Sequence, residues 1–161
     1  MEFIEALHAA GIDFVATLAQ SSMAEIQKAL VKDERFTVIR VSNEGEGVGI
    51  CAGAWLTGKK PVLIMENTGL FLGSYHLLRL NAAYCIPTLL MIEYRGDKGD
   101  ANWFAIPFGW STEQTLQALR IPYTVVGDMA EVKTAITKMW KTSEQSKYPA
   151  AILLKYRMEL K

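Results

Sequence analysis

Short apolar runs alternate with stretches of helical spacing along almost the whole chain. Phe36-Thr37-Val38-Ile39-Arg40-Val41, Pro61-Val62-Leu63-Ile64-Met65 and Pro87-Thr88-Leu89-Leu90-Met91-Ile92-Glu93 are too short for helices and are rich in β-branched or aliphatic residues. The last two are nearly continuous, the pattern of parallel strands covered on both faces. Further strands are predicted at about Ile12 to Leu18, Tyr123 to Val126 and Ala150 to Leu154. Between them the spacing predicts helices over residues 3–10, from caps at Ser21 and Ser22 to Val31, and from Asn43-Glu44 through Thr57. Others run from Thr68-Gly69 to about Tyr84, from Ser111 to Leu119 and from Met129 to Ser143. In the second helix Ile26, Leu30 and Val31 form the expected inner face. Gly11 and Gly58 stand where left-handed caps would end the first and third. This alternation predicts an α/β fold: a three-layer, doubly wound, mainly parallel six-stranded sheet with helices on both faces, formed as a single domain over residues 1–161.

Sheets of this kind bind ligands outside the carboxyl ends of their strands, near the point where strand order reverses. The candidate site therefore lies in four strand-to-helix turns: Ala19 to Ser22, Ser42 to Gly47, Glu66 to Gly69, and Tyr94 to Trp110. The last is the one long irregular segment. It carries Trp103, Phe104, Phe108 and Trp110 among glycines and charges, which argues for function over disorder.

Charge and composition narrow the classes. Lys plus Arg and Asp plus Glu number 17 each, so no overall field draws the chain to nucleic acid or to a membrane surface. The first residues are acidic where a secretion signal would be basic, and no apolar run approaches the roughly 18 residues that span a bilayer. A cytoplasmic protein is expected. Cys51 and Cys85 sit in apolar stretches without metal-ligand spacing and are read as buried, reduced thiols. No metal ligands are assigned to this chain.

Residues 42–55, Ser-Asn-Glu-Gly-Glu-Gly-Val-Gly-Ile-Cys-Ala-Gly-Ala-Trp, are the most informative. Glycines inside a helix each cost roughly 1 kcal/mol against alanine, so something is expected to approach the backbone closely. Tight helix packing alone would explain them, with Glu44 and Glu46 favouring a helix N-terminus. A dinucleotide fingerprint, Gly47-x-Gly49-x-x-Ala52 with Glu66 further on, is the Rossmann-type alternative. Against it, the glycines fall behind Asn43-Glu44 in the helix, and two carboxylates would face the pyrophosphate.

Five motifs carry a resemblance that extends over nearly the whole chain: Asn43-Glu44, Ala52-Gly53-Ala54-Trp55-Leu56, Gly58-Lys59-Lys60-Pro61, Glu66-Asn67-Thr68-Gly69-Leu70 and Tyr94-Arg95-Gly96. In this combination the sequence resembles the pyrimidine-binding (PYR) domains of thiamine-diphosphate enzymes. Within that family it is similar to the small separate subunits of sulfopyruvate decarboxylases and to the N-terminal half of phosphonopyruvate decarboxylases. The resemblance implies that Glu44 is catalytic, hydrogen-bonding the N1′ nitrogen of the cofactor's aminopyrimidine, while the cofactor supplies the carbanion chemistry. Asn43, Asn67, Thr68 and Gly69 would complete the cofactor contacts, and Ser21, Ser22, Arg95 and Trp103 would meet substrate. For Ser21 and Ser22, helix capping is an equal explanation.

The departures from the family pattern set the expected assembly. Relatives hold magnesium and diphosphate through a Gly-Asp-Gly motif and a downstream Asn on a second, diphosphate-binding (PP) domain, and this sequence has no Gly-Asp-Gly. A separate PP-domain β subunit is therefore implied. It would hold Mg2+ and share thiamine diphosphate across the interface of a heterotetramer or larger complex. The implied reaction is decarboxylation of a small 2-oxo acid, or carboligation. A non-catalytic assembly partner of the same fold is the alternative. Gly69-Leu70-Phe71-Leu72 adds bulk where relatives have Gly-Leu-Gly-Asn, and the long loop lacks their histidine, which leaves the substrate open. The only histidines are His8, expected on an exposed helix, and His76, read as a packing or interface residue.

Overall fold

Pro61–Glu66 (β3) and Leu89–Tyr94 (β4), the two continuous apolar runs, lie side by side at the centre of the sheet, and both are buried along nearly their full length. The computed structural model describes residues 2–97 and 100–156. Phe14–Thr17 (β1) and Thr37–Arg40 (β2) extend the sheet on one side, and Ala150–Lys155 (β6) and Tyr123–Val126 (β5) on the other. The order is β2-β1-β3-β4-β6-β5, with every pairing parallel.

Among the described residues six α-helices cover the sheet: Glu2–Ala9 (α1), Ala24–Lys32 (α2), Glu44–Leu56 (α3), Asn67–His76 (α4), Ile106–Ala118 (α5) and Met129–Ser146 (α6). Alternation of side chains along the strands divides the core in two. Val15, Ile64, Met91 and Ile152 pack with α1, α2 and α6. Ala16, Leu63, Met65, Leu90, Ile92 and Leu153 pack with α3, α4 and α5. The expected three-layer fold is therefore the observed one. The sequence of moves, β1 to its neighbour β2 and then back across β1 to β3, puts the reversal of strand order at the carboxyl ends of β1 and β3.

Several local expectations are corrected. Ser21 and Ser22 do not cap α2, which begins at Ala24 after Met23 with no side-chain cap. Val31 is exposed, and Gln27 takes the inward position expected of it. The helix after Gly69 does not run unbroken to Tyr84: α4 passes into a π-helical turn over Leu77–Ala82. Cys85 is exposed in the turn that follows, so only Cys51 is a buried thiol, and burial pushes its pKa up to about 12. Finally, α5 starts five residues before Ser111, inside the segment read as irregular. Pro107 fits its first turn, and the preceding Trp103–Ala105 forms a 3-10 turn.

Gly96 explains how α5 can start there. Its φ is +80°, and a side chain on it would strike the carbonyl of Ala105 and the backbone of Gly109. The exit of β4 and the start of α5 thus meet backbone to backbone.

Candidate active site

The β2-to-α3 turn sorts its two carboxylates. Asn43 is the N-cap of α3, and its side-chain oxygen accepts from the Glu46 amide at 2.9 Å. Glu46 reaches back to accept from the Ser42 amide and hydroxyl at 2.7 and 2.6 Å, a reciprocal cap. Glu46 is therefore exposed and used, and its pKa is lowered, first by the Ser42 hydroxyl. Glu44 is the opposite case. It is only 6% exposed, and its carboxylate makes no hydrogen bond or ion pair among the described residues.

Glu44 owes its position to α4. A Cβ placed on Gly69 would overlap the Glu44 carboxylate, and one on Gly73 would touch Val48 at 3.6 Å and the Glu44 Cβ at 3.9 Å. One turn on, Gly45 lies under the His76 ring, where a Cβ would stand 2.6 Å from Nδ1. The small residues of α3 and α4 thus let the two helices meet at the backbone and hold the Glu44 carboxylate over the first turn of α4. Gly47 is likewise packed, against Leu63 and Val41, and lies within the helix. That is helix packing, not the phosphate-binding loop of a dinucleotide fingerprint.

Asn67 is fully buried and ties three elements together. Its Nδ2 donates to the Arg95 carbonyl at 2.9 Å and to Thr112 Oγ1 at 2.8 Å, and its Oδ1 accepts from the Arg95 amide at 3.3 Å. Its side chain is spent inside the fold, so it positions the start of α4 rather than meeting a ligand. Thr68 and Gly69 follow in the first turn, Thr68 half-buried and Gly69 buried.

On the other layer of the same mouth lies a second polar group. Glu66 and Glu93 are register partners at the ends of β3 and β4. Ser22 Oγ donates to Glu93 Oε2 at 2.7 Å, joining the β1-to-α2 turn to β4 across 71 positions of sequence. Burial raises the Glu93 pKa, and the nearby Glu66 adds to this against the Ser22 hydrogen bond. Arg95 donates to Asp100 at 2.8 and 3.2 Å, lies 3.6 Å from Glu66, and stacks 4.0 Å over the Tyr156 ring. Its guanidinium fork is therefore filled by carboxylates of its own chain. Asp100 in turn is held well below the usual carboxylate range by Arg95 and by the amides of Gly96 and Asn102.

The four turns named from the sequence do converge. Glu44, Thr68 and Gly69 meet on the α3–α4 side, and Ser22 and Arg95 join the carboxylates of Glu66, Glu93 and Asp100 on the α2 side. Ser21 is exposed on its turn. Trp103 is elsewhere, 79% exposed and edge-on to Phe104 at 6.1 Å. Sequence reasoning missed Gln20 and Glu93. Gln20 is 7% exposed, and neither Oε1 nor Nε2 has a partner. Among the described residues no group of three or more His, Cys, Asp and Glu side chains is placed to hold a metal ion. No helix among them is long and apolar enough to cross a membrane.

No family model matches the chain. It is 34% identical over 144 residues to the sulfopyruvate decarboxylase subunit alpha of Methanococcus maripaludis, covering 89% of this chain and 86% of that one. Against the subunit of the same name in Methanocaldococcus jannaschii it is 33% identical over 152 residues, covering 92% and 88%. More distantly, it is 27% identical over 101 residues to the phosphonopyruvate decarboxylase of Streptomyces viridochromogenes, covering 63% of this chain and 25% of that one. Among solved structures it superimposes with a TM-score of 0.71 on the 2-oxoglutarate:ferredoxin oxidoreductase of Magnetococcus marinus, at 14% identity. It does so with a TM-score of 0.72 on a Mycobacterium smegmatis protein described as a thiamin diphosphate-dependent enzyme, also at 14% identity. The superpositions cover 96% and 95% of this chain but only 28% and 29% of those longer ones, so they establish the fold of one unit. With Glu44 set into the glycine-lined junction of α3 and α4, and with a third of its residues shared over most of their length, the chain belongs to the family of sulfopyruvate decarboxylase alpha subunits.

Proposed function

We propose that this chain is the pyrimidine-binding subunit of a two-chain, thiamine-diphosphate-dependent decarboxylase of a small 2-oxo acid, with Glu44 as its catalytic residue. The observation that carries the reading is Glu44: a residue only 6% exposed, its carboxylate without a partner among the described residues and set against Gly69 at the mouth of the sheet. The side chain is largely buried while its carboxylate is left open to a partner from outside the chain. A protonated or proton-donating ring nitrogen is the partner that its chemistry suits, so the residues present fit the aminopyrimidine end of the cofactor.

When bound, thiamine diphosphate supplies the electron sink that lets a 2-oxo acid lose carbon dioxide. The chain's own part is narrower. Glu44 holds a proton at the N1′ nitrogen, Asn43 and Glu46 keep the start of α3 wound beneath it, and Thr68 and the Gly69 backbone form the adjoining wall. Asn67 keeps that wall in register with β4. Ser21 and Ser22 border the substrate on the opposite layer. Arg95 serves there by holding Asp100 and Glu66 in place.

In this reading magnesium and the diphosphate fall to a separate PP-domain β subunit, which the lack of a Gly-Asp-Gly motif in this sequence supports. The surface beside Glu44 suits such a partner. Leu72 and Tyr75 are exposed on α4 within two turns of Gly69, and Phe71 meets Phe108 edge-on at 5.5 Å. The β subunit would cover this apolar face and complete a heterotetramer or larger assembly in the cytoplasm.

The test is reconstitution. The chain mixed with a family β subunit, thiamine diphosphate and Mg2+ should release carbon dioxide from sulfopyruvate or pyruvate, and the isolated chain should not. Tight binding of NADH by the isolated chain, with no cofactor-dependent turnover by the pair, would contradict the reading.

A further inference from the structure

Gln20 occupies a turn that is fixed on both sides. Behind it, Gln27 of α2 donates to Thr17 Oγ1 and to the Leu18 carbonyl, each at 2.7 Å, while its Oε1 accepts from the Gln20 amide at 3.3 Å. Ahead of it, Ser22 is bonded to Glu93 at the end of β4. The backbone of the turn is thereby held at the point where strand order reverses. Between these anchors stands a primary amide, more than nine-tenths buried, with both polar atoms unpaired.

The neighbouring groups are already used. Ser22 has given its proton to Glu93, and Arg95 is filled by Asp100 and Glu66. Gln20 Nε2 is therefore the buried side-chain donor of this turn that remains unspent among the described residues, and the turn stands at the carboxyl end of β1, where strand order reverses. A primary amide can donate to a carboxylate whatever the pH, because it does not titrate. It can also turn toward a ligand without breaking a bond in its own chain.

Resting on the function proposed above, we infer that Gln20 is a substrate-binding residue whose amide donates to the carboxylate of the 2-oxo acid. Glu44 handles the cofactor, and Gln20 the acid that reacts with it. Hydrogen bonds to a charged group are worth roughly ten- to hundredfold in affinity.

The experiment uses the reconstituted two-chain complex with thiamine diphosphate and Mg2+, and sulfopyruvate and pyruvate as probes. Gln20→Met keeps the length of the side chain and removes both polar atoms. It should raise KM for the better probe by about tenfold or more with a smaller change in kcat. Thiamine diphosphate affinity, subunit association and Tm should stay at wild-type values, or Tm should rise because an unpaired amide is gone. Gln20→Glu, of the same shape but without a donor, should raise KM further by repelling the carboxylate. An unchanged KM in Gln20→Met would overturn the inference, and so would a weakened subunit association, which would make the partner chain the amide's target. A wild-type complex that turns over neither probe would instead remove the proposed function, and this inference with it.

Discussion

Replacing Gly69 by alanine adds one methyl group at the point where α4 meets the Glu44 carboxylate. The overlap is with the carboxyl group itself, closer than any real Cβ contact, so either Glu44 or the first turn of α4 must shift. Overpacking of this kind costs about 1–3 kcal/mol, and the helix preference of alanine over glycine returns about 1 kcal/mol. The expected net loss is about 1 kcal/mol, or a fall in Tm of about 2–4 °C for a domain of this size. Gly53→Ala is the internal control. Gly53 lies exposed in α3, with nothing within 4 Å of where its Cβ would be, so the same change should stabilise by up to about 1 kcal/mol. Urea unfolding of the isolated chain measures both, and turnover by the reconstituted complex measures whether Glu44 has moved. Gly69→Ala should lose activity by about tenfold or more, the effect of displacing a proton-transfer group, while Gly53→Ala keeps it. If the two alanines proved equally stabilising and equally active, the placement of Glu44 against Gly69 would be wrong.

Other consequences follow from the α2 side of the mouth and from the thiols. Arg95 and Asp100 have side chains 9% and 1% exposed, so Arg95→Ala leaves a buried carboxylate with only the Gly96 and Asn102 amides and should cost about 2–3 kcal/mol in urea unfolding. Asp100 and Glu93 should impose opposite pH dependences. The lowered Asp100 pKa contributes stability that is complete above its ordinary value and is lost as pH falls through the lowered one. The raised Glu93 pKa contributes stability present below its ordinary value and lost as pH rises through the raised one. Unfolding midpoints from about pH 3 to pH 8 should therefore show Asp100→Asn flattening the acid limb, and Glu93→Gln removing the loss above the carboxylate range. A thiol reagent should label Cys85 in the native chain and reach Cys51 only on unfolding, and rapid native labelling of both would contradict the buried position of Cys51.

The layered fold was legible because its signals are local: β3 and β4 are apolar over most of their length, and Gly11, Asn43 and Gly58 mark helix ends. The place of Glu44 at the start of α3 was legible for the same reason, since a strand, an N-cap and a run of small residues occur together within residues 36–55; its role in catalysis comes from the resemblance alone. What escaped is long-range or relies on orientation. Ser22 reads as a helix cap, and only the pairing of β1 with β3, and of β3 with β4, carries it to Glu93. Nothing in the alternation of a single strand tells whether its last residue ends in solvent or, as Glu93 does, under a neighbouring turn. Gln27 looks polar and Val31 apolar, yet the demand of Thr17 and Leu18 for a donor turns Gln27 inward. The start of α5 was hidden because glycine and proline ordinarily mark a loop. Here Pro107 opens a helix, and Gly96 with Gly109 permits a backbone contact.

The central claim is that Glu44 is the proton-holding residue of a shared cofactor site. The direct measurement is the rate of carbon dioxide release by the reconstituted complex carrying Glu44→Gln, at saturating thiamine diphosphate, Mg2+ and 2-oxo acid. The glutamine preserves the shape at the α3–α4 junction and removes the titratable group. The account predicts a fall in kcat of about a hundredfold or more, with Tm and subunit association unchanged. A variant that turns over at the wild-type rate would contradict it.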